Sequence, residues 1–191
     1  VDLGGGVFAR RAMYSRLKVL AAVAAGSLLN TENKLTPSDP ELDAQYGRTV
    51  AISGDGTVIA IGSPYSDESY TNQGSIYIYK KSGGIWVEDF KFTSPTGSLN
   101  SYLSITGMQL TDNGDTLIIS NHHDDSQGQY TDDYSAGMVY VLNDTGSTWN
   151  SQSILPSGLA TEDQFGSSVA ISSDGTTIAV GSIGENNNFP T

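Results

Sequence analysis

The amino-acid sequence predicts an all-β protein built from repeats. The stretch Asp163 to Ser182, DQFGSSVAISSDGTTIAVGS, occurs almost intact at Ala44 to Ser63, AQYGRTVAISGDGTVIAIGS, and in weaker form at Tyr102 to Asn121, YLSITGMQLTDNGDTLIISN. The turn glycines Gly56, Gly114 and Gly175 set spacings of 58 and then 61 residues, a self-similarity at the scale of solenoids and propellers. Beyond residue 30 there is no long helical periodicity, and Gly, Ser, Thr, Asn and Asp fill the gaps between short apolar runs, as expected of strands joined by turns.

At the N-terminal end, residues 1–30 form a segment of different character. The sequence opens without methionine and is expected to start inside a larger product. Arg10, Arg11, Arg16 and Lys18 precede the apolar run Val19 to Leu29. Its eleven residues fall short of the ~20 that cross a bilayer, so no membrane span is expected. A basic start, a short apolar stretch and Ala22-Val23-Ala24 resemble a secretory signal peptide, but twelve residues precede Met13. The reading adopted is a helix over 12–29, because Met13, Leu17, Leu20, Ala24 and Leu28 share one helical face. Such a helix would anchor the protein or pack against neighbouring subunits.

Residues 31–191 are expected to form the repeat array: a lone outer strand at 33–38, a four-stranded unit at 43–98, another at 102–157, and half a unit at 163–191. In each copy, alternating apolar residues flank a Ser-x-Asp-Gly or Asp-Asn-Gly turn, the short-range signal of a β-hairpin. A second block, Gly74 to Tyr79 followed by Trp86, returns 63 residues later as Gly137 to Leu142 followed by Trp149. Four strands per full unit result. Pro37, Pro95 and Pro156 each stand nine residues before Tyr46, Ser104 and Phe165, so the same joint is built three times. Leu35-Thr36-Pro37-Ser38 aligns with Ile154-Leu155-Pro156-Ser157, the end of a fourth strand.

Phe165-Gly166 with the following Ser-Ser-Val-Ala-Ile-Ser, Ile178 to Ser182, and the Gly-x-Val-Tyr-Val strand of the preceding unit resemble FG-GAP repeats, the blades of integrin-α-type β-propellers. Tyr46-Gly47 and Gly62-Ser63-Pro64 match the same pattern in the first unit, whereas the second reads Ser104-Ile105 in place of the aromatic-glycine pair. The resemblance implies a propeller of four-stranded blades with about 60 residues each, of which two and a half are present. Rings of this kind have about 4 to 8 blades, so the array is expected to be completed by further repeats or by other chains. The calcium loops of integrin-type blades are not expected: Ser53 to Gly56 and Ser172 to Gly175 are too short to wrap a cation that takes six to eight oxygens.

The chain has 191 residues, no cysteine, and 21 acidic against 9 basic side chains. Residues 1–42 carry a net charge of +1 and residues 43–191 one of −13, a surface that repels phosphate backbones, so nucleic-acid binding is not expected. His122-His123-Asp124-Asp125 is the one cluster of metal-ligand types. Alternation along an extended segment would bring together His122 and Asp124 at best, two ligands where structural zinc wants four, so a solvated polar loop is the reading adopted. Gly-x-Ser-x-Gly is absent, and acids such as Asp67-Glu68 and Asp132-Asp133 sit adjacent rather than opposed across a cleft. No catalytic residue and no cofactor is assigned.

The loops between the second and third strands of each unit are richer. Pro64 to Gln73 holds Tyr65, Asp67, Tyr70 and Asn72, and His122 to Ala136 holds Tyr130, Asp132 and Tyr134. Tyrosine among Ser, Asn and Asp is the mixture that recognition loops use, and the family resemblance puts these loops on the ligand-facing rim. The expected function is a non-enzymatic binding or adhesion module, extracellular or on a cell or virion surface, that meets a protein or glycan. The alternative is a structural component of a large assembly, held to neighbouring subunits by the N-terminal segment.

Overall fold

The protein is described by a computed structural model in residues 17–20, 32–96, 99–124, 136–156 and 163–184. Every regular element among them is a strand: β1 Leu17–Leu20, β2 Glu32–Leu35, β3 Thr49–Ile52, β4 Val58–Ser63, β5 Ser75–Ser82, β6 Ile85–Thr93, β7 Met108–Leu110, β8 Thr116–Asn121, β9 Met138–Asp144, β10 Trp149–Ile154, β11 Phe165–Ile171 and β12 Ile178–Ser182. Strands β3 to β6 form one four-stranded antiparallel sheet in sequence order, β7 to β10 a second, and β11 with β12 the start of a third. The expected hairpins and four-strand units are therefore present.

The sheets stack face to face. Val58, Ala60, Ile76, Ile78 and Phe92 of the first meet Leu110, Leu117, Ile119, Tyr140, Leu142 and Trp149 of the second. On the far side of the second sheet, Ile118 and Val139 meet Val169, Ile171, Ile178 and Val180. The interior strands β4, β8 and β9 are thus covered on both faces, which is why they read as continuous apolar runs, while β3 shows the alternation of an edge strand with one covered face. The hairpin turns also link one unit to the next: Asp55 N donates to Asp112 O at 2.8 Å, and Asp112 N to Ser173 O at 2.9 Å.

Two glycines make the joint between units. Gly74 and Gly137, equivalent by the repeat, have φ of 86° and 87°. A Cβ on Gly137 would lie 2.1 Å from the Phe165 carbonyl oxygen, and one on Gly74 2.7 Å from the Leu103 nitrogen. At this approach Leu103 N donates to Gln73 O and Phe165 N to Ala136 O.

Two expectations at the N-terminal end are corrected. Within the stretch expected to be a helix over 12–29, Leu17–Leu20 is a strand, and the rest of it lies outside the described residues. Its backbone pairs antiparallel with β2, Leu17 opposite Leu35 through Leu20 opposite Glu32, so a long-range partner overrides the helical pattern of the sequence. The strand expected alone at 33–38 consequently has a neighbour. Beyond it, residues 35–39 cross the outer face of the first sheet. Leu35 packs with Tyr46, Ile59, Ile61, Tyr77 and Tyr79, Tyr79 Oη donates to Thr36 O at 2.9 Å, and Tyr77 Oη to Asp39 Oδ1 at 2.9 Å. The repeat equivalent does the same for the second sheet, where Ser94 and Thr96 hydroxyls lie 2.6 and 2.8 Å from Tyr140 Oη.

Candidate functional site

The loop after β4 is held in shape by its own polar groups. Asn72, at φ 53°, donates its backbone N–H to Asp67 Oδ1 at 2.7 Å and its side-chain amide to Asn100 Oδ1 at 2.9 Å. Asp67 N donates to Glu41 Oε2 at 2.9 Å. Gln73 is buried; its amide donates to Ser94 O at 2.8 Å and its carbonyl accepts from Ser69 N at 3.0 Å. Asp67 and Asn72 therefore build the loop, while Tyr70 is 51% exposed. Lys91 bridges beneath it to Asp39 at 2.5 Å and to Glu68.

Tyr65 is half-buried and belongs to a row of rings that crosses from the first unit to the second. Its centroid lies 5.1 Å from that of Tyr102, Tyr102 lies 5.5 Å from His123, and His123 lies 4.0 Å from His122. Tilted and edge-on contacts of this kind are the favoured aromatic geometries. Sequence reasoning singled out Tyr65 and the histidines but missed Tyr102. The signal available was that Tyr102 stands where the other two copies have Ala44 and Asp163. In this unit Leu103 and Ser104 turn inward and are fully buried. Ser104 Oγ lies 3.1 Å from Thr49 Oγ1, where an aromatic ring stands in the other copies.

The loop at 122–124 is not solvated as expected: His122 and Asp124 are buried. Asp124 Oδ2 accepts from Asn121 Nδ2 at 2.6 Å, and His122 Nδ1 lies 3.3 Å from Thr106 Oγ1. Burial, helped by the neighbouring His123, lowers the His122 imidazole to about 4, and burial lowers His123 too. Both rings are neutral at physiological pH. No group of three His, Cys, Asp or Glu side chains among the described residues is placed to hold a metal. Tyr130, Asp132 and Tyr134 lie outside the described residues.

The hairpin turns use their acids internally. Ser53 Oγ and Thr57 N donate to Asp55 Oδ1 at 2.6 and 2.9 Å, and Ser172 Oγ and Thr176 N to Asp174 Oδ1 at 2.6 and 3.0 Å. These donors, the serine first, lower both carboxyls, that of Asp174 to about 2. The second unit substitutes Thr111, Asn113 and Asp115 in the same arrangement. Gly56, Gly114 and Gly175 close these turns at φ 70°, 73° and 73°.

A groove of about 450 Å³ lies at the other end of the first sheet, between residues 34–38 and Tyr79 with Trp86 to Glu88. Glu88 fixes its walls: Oε2 accepts from Ser38 N at 2.9 Å and Oε1 from Ser38 Oγ at 2.7 Å, while Oε2 also lies 3.1 Å from Tyr79 Oη, whose single proton points to Thr36 O. Lys81 Nζ lies 5.7 Å from the Trp86 ring centroid, within cation–π reach.

Stacked four-stranded antiparallel sheets, bridged at each joint by a glycine, define an all-β repeat protein. The model of the family described as FG-GAP repeat matches residues 29–79 and 149–190. No curated protein matches the chain. Among solved structures, the periplasmic gluconolactonase of Pseudomonas aeruginosa is similar over 80% of this chain and 40% of its own, at 15% identity and a TM-score of 0.44. The chain spans less than half the length of that enzyme. No helix among the described residues is long and apolar enough to cross a membrane.

Proposed function

We propose that this chain is part of a propeller-type, non-enzymatic binding or adhesion module that presents the loops after β4 and β8 to a protein or glycan outside a cell or on a virion. The observation that carries this reading is the row Tyr65–Tyr102–His123, three partly exposed rings from two units at centroid spacings of 5.1 and 5.5 Å. Tyr70, on the same loop as Tyr65, is exposed. Aromatic rings on a braced loop offer large contact area with little entropy to lose. An enzymatic reading is less favoured: His122, with its conjugate acid at about 4, is a weak base at neutral pH, and the turn acids are engaged with their own loops.

A glycan array and a solid-phase adhesion assay, run on the wild type and on a Y65A/Y70A/Y102A variant of unchanged melting temperature, test this. Binding lost in the variant supports the rim as the site. Binding retained in full moves the function elsewhere.

The alternative, a structural part of a large assembly, is favoured by Val50 and Ile52, which are 51% and 59% exposed on the outer face of β3. Their equivalents Val169 and Ile171 pack against the second sheet. In that case neighbouring subunits would meet this face and the N-terminal segment. Mass measurement at micromolar concentration separates the two, since an assembly component forms oligomers that V50S/I52S dissolves.

A further inference from the structure

We propose that the groove beside Trp86 is a second binding site and that its ligand is a carboxylated sugar. The volume of about 450 Å³ falls within the roughly 300–1,000 Å³ of small-ligand sites. Trp86 and Val87 give it an apolar side, and Thr36 and Ser38 stand opposite. The C–H face of a pyranose can lie on an indole while its hydroxyls meet hydroxyl side chains.

Charge selects an acidic sugar. On a chain of net charge −12, Lys80 holds Asp89 and Asp144, and Lys91 holds Asp39 and Glu68. Lys34 in the groove wall and Lys81 beside Trp86 have no carboxylate partner among the described residues. The one carboxylate in the wall, Glu88, is bound by the N–H and the hydroxyl of Ser38, which hold the groove in a single shape.

An acidic peptide is the competing ligand, and the segment 36–38 argues against it. Ser38 N–H is taken by Glu88, the Thr36 carbonyl by Tyr79, and Pro37 has no N–H to give, so this part of the wall is poorly suited to extend a strand. The site is also separate from the rim: Lys81 is six residues along β5 from Ser75, about 20 Å at strand rise.

Titration of the whole protein with a glucuronate-containing oligosaccharide, followed by calorimetry and tryptophan fluorescence, tests the assignment. Saturable binding is expected, about tenfold weaker for the carboxyl-reduced sugar and about tenfold weaker for K34Q/K81Q, as loss of a charge-assisted contact implies. It should weaken as salt is raised. The Y65A/Y70A/Y102A variant should bind this probe as the wild type does, which keeps failure of the groove distinct from failure of the rim. K34Q/K81Q removes two exposed charges and is expected to fold normally. Equal binding of the neutral sugar, full binding by folded K34Q/K81Q, no saturation at millimolar concentration, or tighter binding of an acidic tryptophan-containing peptide would each overturn the proposal.

Discussion

Trp149 reaches from the second sheet to the first, its indole N–H donating to Asp89 Oδ2 at 2.9 Å. Lys80 stands over the same ring at 5.4 Å and pairs with Asp89 and Asp144 at 3.0 and 2.7 Å. The repeat equivalent of Trp149 is Trp86. It occupies the matching place on the first sheet, but there it borders the groove, with Lys81 at its face. One sequence position thus closes a joint between sheets in one unit and lines an open site in another.

The Trp149 contact gives the first prediction. Replacing Trp149 by Phe removes the donor while keeping most of the buried surface, and should cost about 1–2 kcal/mol, since a hydrogen bond to a charged acceptor contributes ~1.5–3 kcal/mol and Asp89 is partly exposed. Lys80→Met should cost less than about 1 kcal/mol, because its side chain is about a third exposed and water screens the pairs. Urea denaturation measures both; a K80M loss larger than that of W149F would reverse the ranking.

Gly137 provides a sharper contrast. A methyl group there would strike the backbone of Phe165 at 2.1 Å with φ at 87°, so Gly137→Ala should cost at least ~2 kcal/mol or prevent folding, as strain at a forced backbone position does. At Gly56 the φ is 70° but nothing lies within 4 Å of the added atom, and Gly56→Ala should cost only the ~1–2 kcal/mol of a left-handed residue. Comparable midpoints for the two variants would show that contact at the joint does not set the cost.

Much of this architecture is legible in the sequence, because strands buried on one face or both leave apolar patterns of period two or continuous runs between turn residues. Val58 to Ser63 and Thr116 to Asn121 were expected from that pattern alone, and the structure places strands at both. Leu17–Leu20 was not legible: four residues in an alanine-rich stretch carry no strand signal, and the pairing that makes them a strand comes from residues 32–35. Tyr102 escaped for a related reason. The repeat pattern marks positions that are alike, whereas the ring row depends on a residue that departs from it. The groove at Trp86 depends on residues 34–38 folding back across β5 and β6, which no local pattern encodes.

The last prediction concerns acid. Burial, with the neighbouring His123, lowers His122 to about 4 from its ordinary 6.5. An unfolded chain therefore takes up this proton before the folded one does, and the unfolded state binds more protons between those two values. Stability must then rise with pH across the window: the contribution is complete above about 6.5 and is lost as pH falls toward 4. His123, lowered by burial as well, acts in the same direction. Glu41, raised by burial, opposes them near the ordinary carboxyl range, and the lowered Asp39, Asp55 and Asp174 take effect only at lower pH. The loss between pH 7 and pH 4.5 should be on the order of 1–3 kcal/mol. His122→Asn, which cannot titrate, should flatten the profile over that interval while lowering stability at pH 7. Urea unfolding at half-unit pH steps provides the measurement, and NMR titration of the imidazole should give a midpoint below 5. A wild-type profile that is already flat from pH 7 to 4.5 would mean that His122 takes up its proton as readily in the folded chain as in the unfolded one.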